Sequence, residues 1–173
     1  MKSSRRAAWI TIAVLAALTA PVRAARAEGE PRRAPRPAPV LDARSIVELT
    51  NASRRDAHLP PLAMDDRLMA AARAKLFDMI KGEYFAHVTP DGRKPWTFMR
   101  AAGYPYVMAA ENLAKGYDSA VEVQDAWMQS QGHRANILND GFTEMGVADA
   151  NGVIVVLFGR SAPPPGALQK ARR

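Results

Sequence analysis

The apolar positions of this chain recur at helical spacing over its first half and gather into short β-type runs over its second. Leu68, Ala72, Leu76 and Met79 fall at i, i+4, i+8 and i+11, one stripe on a helix that Asp65 opens and Gly82 ends. Upstream, Asp42 or Ser45 can cap a helix that reaches about Asp56 and buries Ile46 and Leu49, and Ser45 and Glu48 have capping-box spacing. Pro60-Pro61 separates the two helices. A loop from Glu83 to Lys94 holds the turn Thr89-Pro90-Asp91-Gly92, and Pro95 starts a short helix that Gly103 terminates. Val107 to Ala114 is an apolar run broken by Glu111-Asn112, short enough for a strand. Ser119 and Glu122 form a second capping box, with Val123 and Trp127 on that helix's inward face, and Gly132-His133-Arg134 reads as a break between two helical stretches. Met145–Ala148 and Val153–Phe158 are β-rich runs joined by Asn151-Gly152, a hairpin signal. To bury Ile154 and Val156 the hairpin must lie between helical layers. The expectation is an α+β fold, a three-layer α-β-α sandwich with a small antiparallel sheet, over residues 41–161.

The ends follow another pattern. Met1 to Arg6 is basic, and Ala7 to Ala20 is mostly apolar but too short to cross about 30 Å of hydrocarbon as a helix. Two A-x-A-like sites follow, Val22-Arg23-Ala24 and Ala25-Arg26-Ala27. This is the layout of a secretory signal peptide over residues 1–27, cleaved at Ala27 or alternatively Ala24. Ser4-Arg5-Arg6 leaves a twin-arginine route open beside the general one. Cleavage would leave no transmembrane anchor, so a secreted or periplasmic protein is expected. Residues 28–40 form a Pro/Arg-rich linker, and residues 162–173 a basic tail expected to be disordered.

Charge changes the picture by where it sits. The 173-residue chain carries a formal +7, yet residues 41–161 hold 13 basic and 15 acidic residues, a net −2. The body therefore lacks the electrostatic footprint of a nucleic-acid binder. The absence of cysteine excludes a disulfide scaffold, a thiolate zinc module and a cysteine nucleophile.

Few residues carry chemistry. His58 precedes two prolines at a helix end and reads as a surface or C-terminal capping residue. Glu111 sits in an apolar run, where a carboxylate costs several kcal/mol unless it is paired or hydrogen-bonded. With His87 and His133 it offers a His₂Glu set for zinc, although no HExxH or other short ligand spacing is present. Ser130, three residues before His133, offers a Ser-His-Glu set, although it lies in no G-x-S-x-G elbow. No phosphate-binding glycine motif occurs, which removes nucleotide enzymes.

Taken in order, Leu49-Thr50-Asn51 with Arg54, Leu59-Pro60-Pro61-Leu62, Phe85-Ala86-His87 with Pro90-Asp91-Gly92, Glu111-Asn112-Leu113-Ala114, Trp127 to Leu138, and Met145-Gly146-Val147 through Phe158-Gly159 resemble the CAP superfamily in its bacterial SCP-domain form. That family comprises the cysteine-rich secretory, antigen 5 and pathogenesis-related proteins. The resemblance implies a three-stranded antiparallel sheet between helical layers. It also implies a cleft lined by two His and two acids, a tetrad that binds a divalent metal in some members. Three of the four positions fall on His87, Glu111 and His133, and the second acid falls on Ser130, which leaves the tetrad incomplete. Peptidase activity has been proposed for some relatives and sterol or lipid binding for others, so the fold does not choose.

Two functions are expected from these readings. One is a non-catalytic, secreted or envelope-associated binding module whose cleft of His87, Glu111, Ser130 and His133 would hold either a weakly bound zinc or other divalent metal or a small amphiphilic ligand. Its partner would be a small amphiphile, a lipid or a cell-envelope component, and not nucleic acid. Glu111 would be a third ligand or an acceptor that orients an imidazole. The alternative is an extracytoplasmic hydrolase of peptide or cell-wall bonds that uses metal-bound water or Ser130.

Overall fold

The computed structural model describes residues 41–163, so the expected signal peptide, the expected linker and all but the start of the expected basic tail lie outside the described residues. Helix α1 spans Ala43–Asp56, strand β1 Ala63–Met64, α2 Asp66–Lys81, α3 Pro95–Ala101, β2 Tyr106–Lys115, α4 Ala120–Gln129, α5 Gln131–Ile137, β3 Glu144–Ala150 and β4 Val153–Ser161.

The helix starts follow from side chains that satisfy the first free N–H groups. Asp42 caps α1 by accepting from Ser45 N–H at 2.7 Å. That places Ser45 inside the first turn, so the Ser45–Glu48 box does not form, and Glu48 pairs with Arg44 instead. Asp65 caps α2 through the N–H groups of Arg67 and Leu68, and the Ser119–Glu122 box caps α4. Pro95 is the first residue of α3. The expected break at Gly132-His133-Arg134 lies instead at Ser130, which ends α4 and begins α5, so His133 is helical.

Strand order is β1-β3-β4-β2. Antiparallel pairs β2–β4 and β3–β4 form the expected sheet, and the two-residue β1 adds a short parallel pairing to β3, which makes the sheet mixed. Asn51 holds this addition by bonding both the N–H and the carbonyl of Leu62. The hairpin turn has Asn151 and Gly152 at φ of 51° and 69°, the left-handed conformations that a two-residue turn of this hand requires.

β4 is buried on both faces. Ile154, Val156 and Phe158 pack with Ile46, Val123 and Trp127 beneath α1, α4 and α5. Val153, Val155 and Leu157 pack with Leu68, Leu76 and Phe98 beneath α2 and α3. The α-β-α sandwich is thus two cores divided by one sheet. At Gly146 a Cβ would fall on the backbone of Leu68 and Met69, so α2 rests directly on β3 there. Buried Arg54 closes the other side, donating to the carbonyls of Pro60, Ile137 and Asn139 at 2.8–2.9 Å.

Candidate functional site

The loop between α2 and α3 delivers His87, and β2 delivers Glu111. Side chains of α2 anchor the loop. Lys75 donates to the Ala86 carbonyl at 2.8 Å and to the Tyr84 hydroxyl at 3.3 Å, and Asp78 accepts from Arg93 at 2.9 Å and from Tyr84. His87, fixed by this frame, donates from Nδ1 to Glu111 Oε1 at 2.7 Å. The imidazole is 56% exposed and the carboxylate 1%, so a buried acid orients a ring at the surface. In the neutral ring, donation from Nδ1 leaves the Nε2 lone pair free.

Glu111 Oε2 has no hydrogen-bond partner among the described residues. Burial pushes the Glu111 carboxyl up, opposed by the bond from His87 and by the charge of Lys75. The same bond raises the His87 pKa against its own burial. Lys75 is fully buried, and desolvation lowers its pKa, opposed by the nearby carboxylates of Glu111 and Asp78.

Ser130 and His133 form a second pair, with Nδ1 and Oγ 2.9 Å apart. The His133 ring lies tilted beside Trp127, and burial with the neighbouring charge of His87 lowers its pKa, which favours the neutral imidazole. Its two neutral tautomers serve different chemistries. If Nδ1–H donates to Ser130, Nε2 is free to ligate a metal. If the serine hydroxyl donates to Nδ1, the ring is placed as a base on a nucleophile. Asn112 ties the two pairs together, donating to the His133 carbonyl at 3.2 Å and accepting from Asn136 at 2.8 Å.

An open cleft of about 470 Å³ lies beside the first pair, lined by His87, Lys94, Trp96, Ala109, Glu111 and Asn136 among others. Ser130 and His133 do not line it, so the four candidate residues form two linked pairs. His58 is exposed past the end of α1 and takes no part. Among the described residues no group of three His, Cys, Asp or Glu side chains is placed to hold a metal. Glu111 is placed as the acceptor that orients His87 through Nδ1.

Sequence reasoning missed Lys75, Lys94 and Trp96. The signal for Lys75 was present, since it stands on the apolar stripe of Leu68, Ala72, Leu76 and Met79.

With the geometry in place, comparison with known proteins supplies kinship. The family described as Cysteine-rich secretory protein family (CAP) matches residues 47–153. The uncharacterized protein YkwD of Bacillus subtilis is 47% identical over 104 residues, 60% of this chain and 40% of that protein. The uncharacterized membrane protein YlbC of the same organism is 29% identical over 104 residues, covering 60% of this chain and 30% of its own length. The chain thus spans less than half of either curated relative. An extracellular protein containing an SCP domain from Bacillus anthracis superposes with a TM-score of 0.66 at 30% identity, covering 69% of this chain and 40% of that one. An outer surface protein of Borrelia burgdorferi superposes at 0.63 and 21% identity, covering 69% of this chain and 92% of that one, and shares the fold. No helix among the described residues is long and apolar enough to cross a membrane. The sandwich, the ordered motifs and a match over more than half its length make this chain a member of the CAP family, in its bacterial SCP-domain form.

Proposed function

We propose that this protein is an extracytoplasmic, non-catalytic binding module, exported by removal of residues 1–27, that holds a divalent metal reversibly through His87 at the cleft and His133 of the linked pair. The Glu111–His87 bond carries the reading: a buried carboxylate sets the tautomer of an exposed imidazole and leaves its Nε2 facing outward. Two neutral nitrogens without a firm third ligand make a weak site, completed by water or by a group of the bound partner. Extracellular and surface relatives support the location.

Calorimetric titration with zinc at neutral pH tests the metal. Binding by the wild type, lost in His87→Ala and weakened about 10–100-fold in Glu111→Gln, is expected from the loss of a ligand and of its orienting acceptor. Equal affinity in wild type and His87→Ala, or binding in neither, removes the metal.

The Ser130–His133 contact favours a second reading, a hydrolase with Ser130 as nucleophile. Among the described residues no side chain orients His133 from its other nitrogen, so the third member of such a relay is missing. Labelling by a fluorophosphonate probe, abolished by Ser130→Ala, would establish this alternative.

A further inference from the structure

We propose that the cleft takes an extended acidic peptide segment, added as a further strand along the open edge of β2. The proposal rests on the binding-module reading above but not on its metal. Strand order leaves β2 at the edge of the sheet, paired on one side only. In antiparallel pairing alternate residues turn both backbone groups toward the neighbour, and those between turn them away. Two side-chain bonds set the phase. The Glu111 carbonyl accepts from Asn136 Nδ2 at 3.4 Å, and the Leu113 carbonyl accepts from Trp127 Nε1 at 3.1 Å, both outside the sheet. Residues 109, 111 and 113 therefore face the open edge, while 110, 112 and 114 face β4.

Most of that edge is closed. A register shift between Tyr106 and Met108 interrupts it at one end, and Asn136 and Trp127 occupy its carbonyls at the other. Between them the N–H and carbonyl of Ala109 and the N–H of Glu111 have no turn, loop or side-chain partner among the described residues. This bare stretch borders the cleft, since Ala109, Ala110 and Glu111 line it.

A donor, an acceptor and a second donor in a row on a strand edge match the main chain of another strand. A residue opposite Ala109 can exchange two hydrogen bonds with it, and a third can run from Glu111 N–H. Alanines at 109 and 110 let that backbone approach. The rim selects the side chains. Lys94 is exposed and forms no ion pair among the described residues, so the rim carries an uncompensated cation. Beside it Trp96 and Val88 offer apolar surface. An acidic residue flanked by apolar ones fits this wall. The chain's own ends match it badly, because Glu28 and Glu30 have only Gly29 and Pro31 between and after them before Arg32, Arg33 and Arg36, and Lys170, Arg172 and Arg173 follow the domain. The partner is a different molecule.

The test immobilises the full-length chain and applies a mixture of capped heptapeptides, with aspartate fixed at the centre and the other positions random. A counter-mixture carries N-methyl groups on two adjacent central amides, and a third has lysine in place of aspartate. Retention of the aspartate mixture at least about tenfold above both others is expected, a difference of about 1.4 kcal/mol. A retained peptide, resynthesised, should slow amide exchange at Ala109 and Glu111 while leaving Ala110 unchanged. Lys94→Glu should reverse the preference between aspartate and lysine. Equal retention of the N-methylated mixture, no retention of any mixture, or binding that leaves the Ala109 and Glu111 amides unaltered overturns the proposal. Zinc binding without peptide retention ends this inference and leaves the metal reading standing. Retention without zinc does the opposite, and cleavage of a retained peptide overturns the non-catalytic reading while upholding the edge.

Discussion

Lys75 is a buried ammonium whose hydrogen bonds go to a carbonyl and a hydroxyl, and whose charge faces Glu111 and Asp78. It holds the loop carrying His87 and balances the acid that orients it. Replacing it by a methionine of similar length keeps the packing but leaves the Ala86 carbonyl and the Glu111 carboxylate without their cation. Lys75→Met should cost about 1–3 kcal/mol, the penalty for stranding buried polar groups, measured by urea unfolding at neutral pH. The same cluster shows what was legible residue by residue. A carboxylate in an apolar run announces that it needs a partner, so Glu111 could be singled out from the sequence. His87 as that partner could not be read from spacing, because a loop and a strand far apart in the chain meet only through the packing of α2. Lysine normally belongs to a helix's polar face, so Lys75 at i+7 on the apolar stripe was a legible mark of a buried cation, while its partners were not.

Helix starts were readable because a cap is a local bond between neighbours in sequence, as at Asp65 and Ser119. Asp65 also yields a pH dependence. Its carboxyl is held below the ordinary 3.8 by the bond from Arg67 and, further, by the backbone N–H groups of Leu68 and Arg67, against some desolvation. A depressed folded-state pKa gives stability that is present above the unfolded value and lost as pH falls through the folded one. Asp65→Ala should cost about 0.5–2 kcal/mol at pH 7, and the difference from wild type should shrink as pH drops below 3.8, followed by urea midpoints across that range. The break between α4 and α5 was displaced in the sequence reading because Gly132 looks like a terminator. In the second position of a new helix a glycine costs little, and the turn is made by Ser130 with extended φ and ψ of −88° and 120°. β1 left no readable signal, since two residues cannot show a period and its pairing depends on Asn51 and on β3.

At the scale of the whole molecule, the sandwich was legible because Val153–Phe158 of β4 are apolar at every position, as a strand covered on both faces requires. The distribution of charge was equally plain, and it predicts behaviour. With a net −2 over residues 41–161, the domain freed of its basic ends should show no salt-dependent DNA affinity at about 0.15 M salt, checked by fluorescence anisotropy with a labelled duplex. The central position of β4 has a consequence in time. It is the last strand among the described residues, yet β2 and the body of β3 pair only with it there. Until residues 153–161 have left the ribosome, no more than helices and a single unpartnered β-run on each side can exist. The sheet therefore cannot close before residue 161 has been made, late in the synthesis of this domain. In a chain exported as proposed above, such a delay would keep the domain threadable until folding on the far side made its passage irreversible.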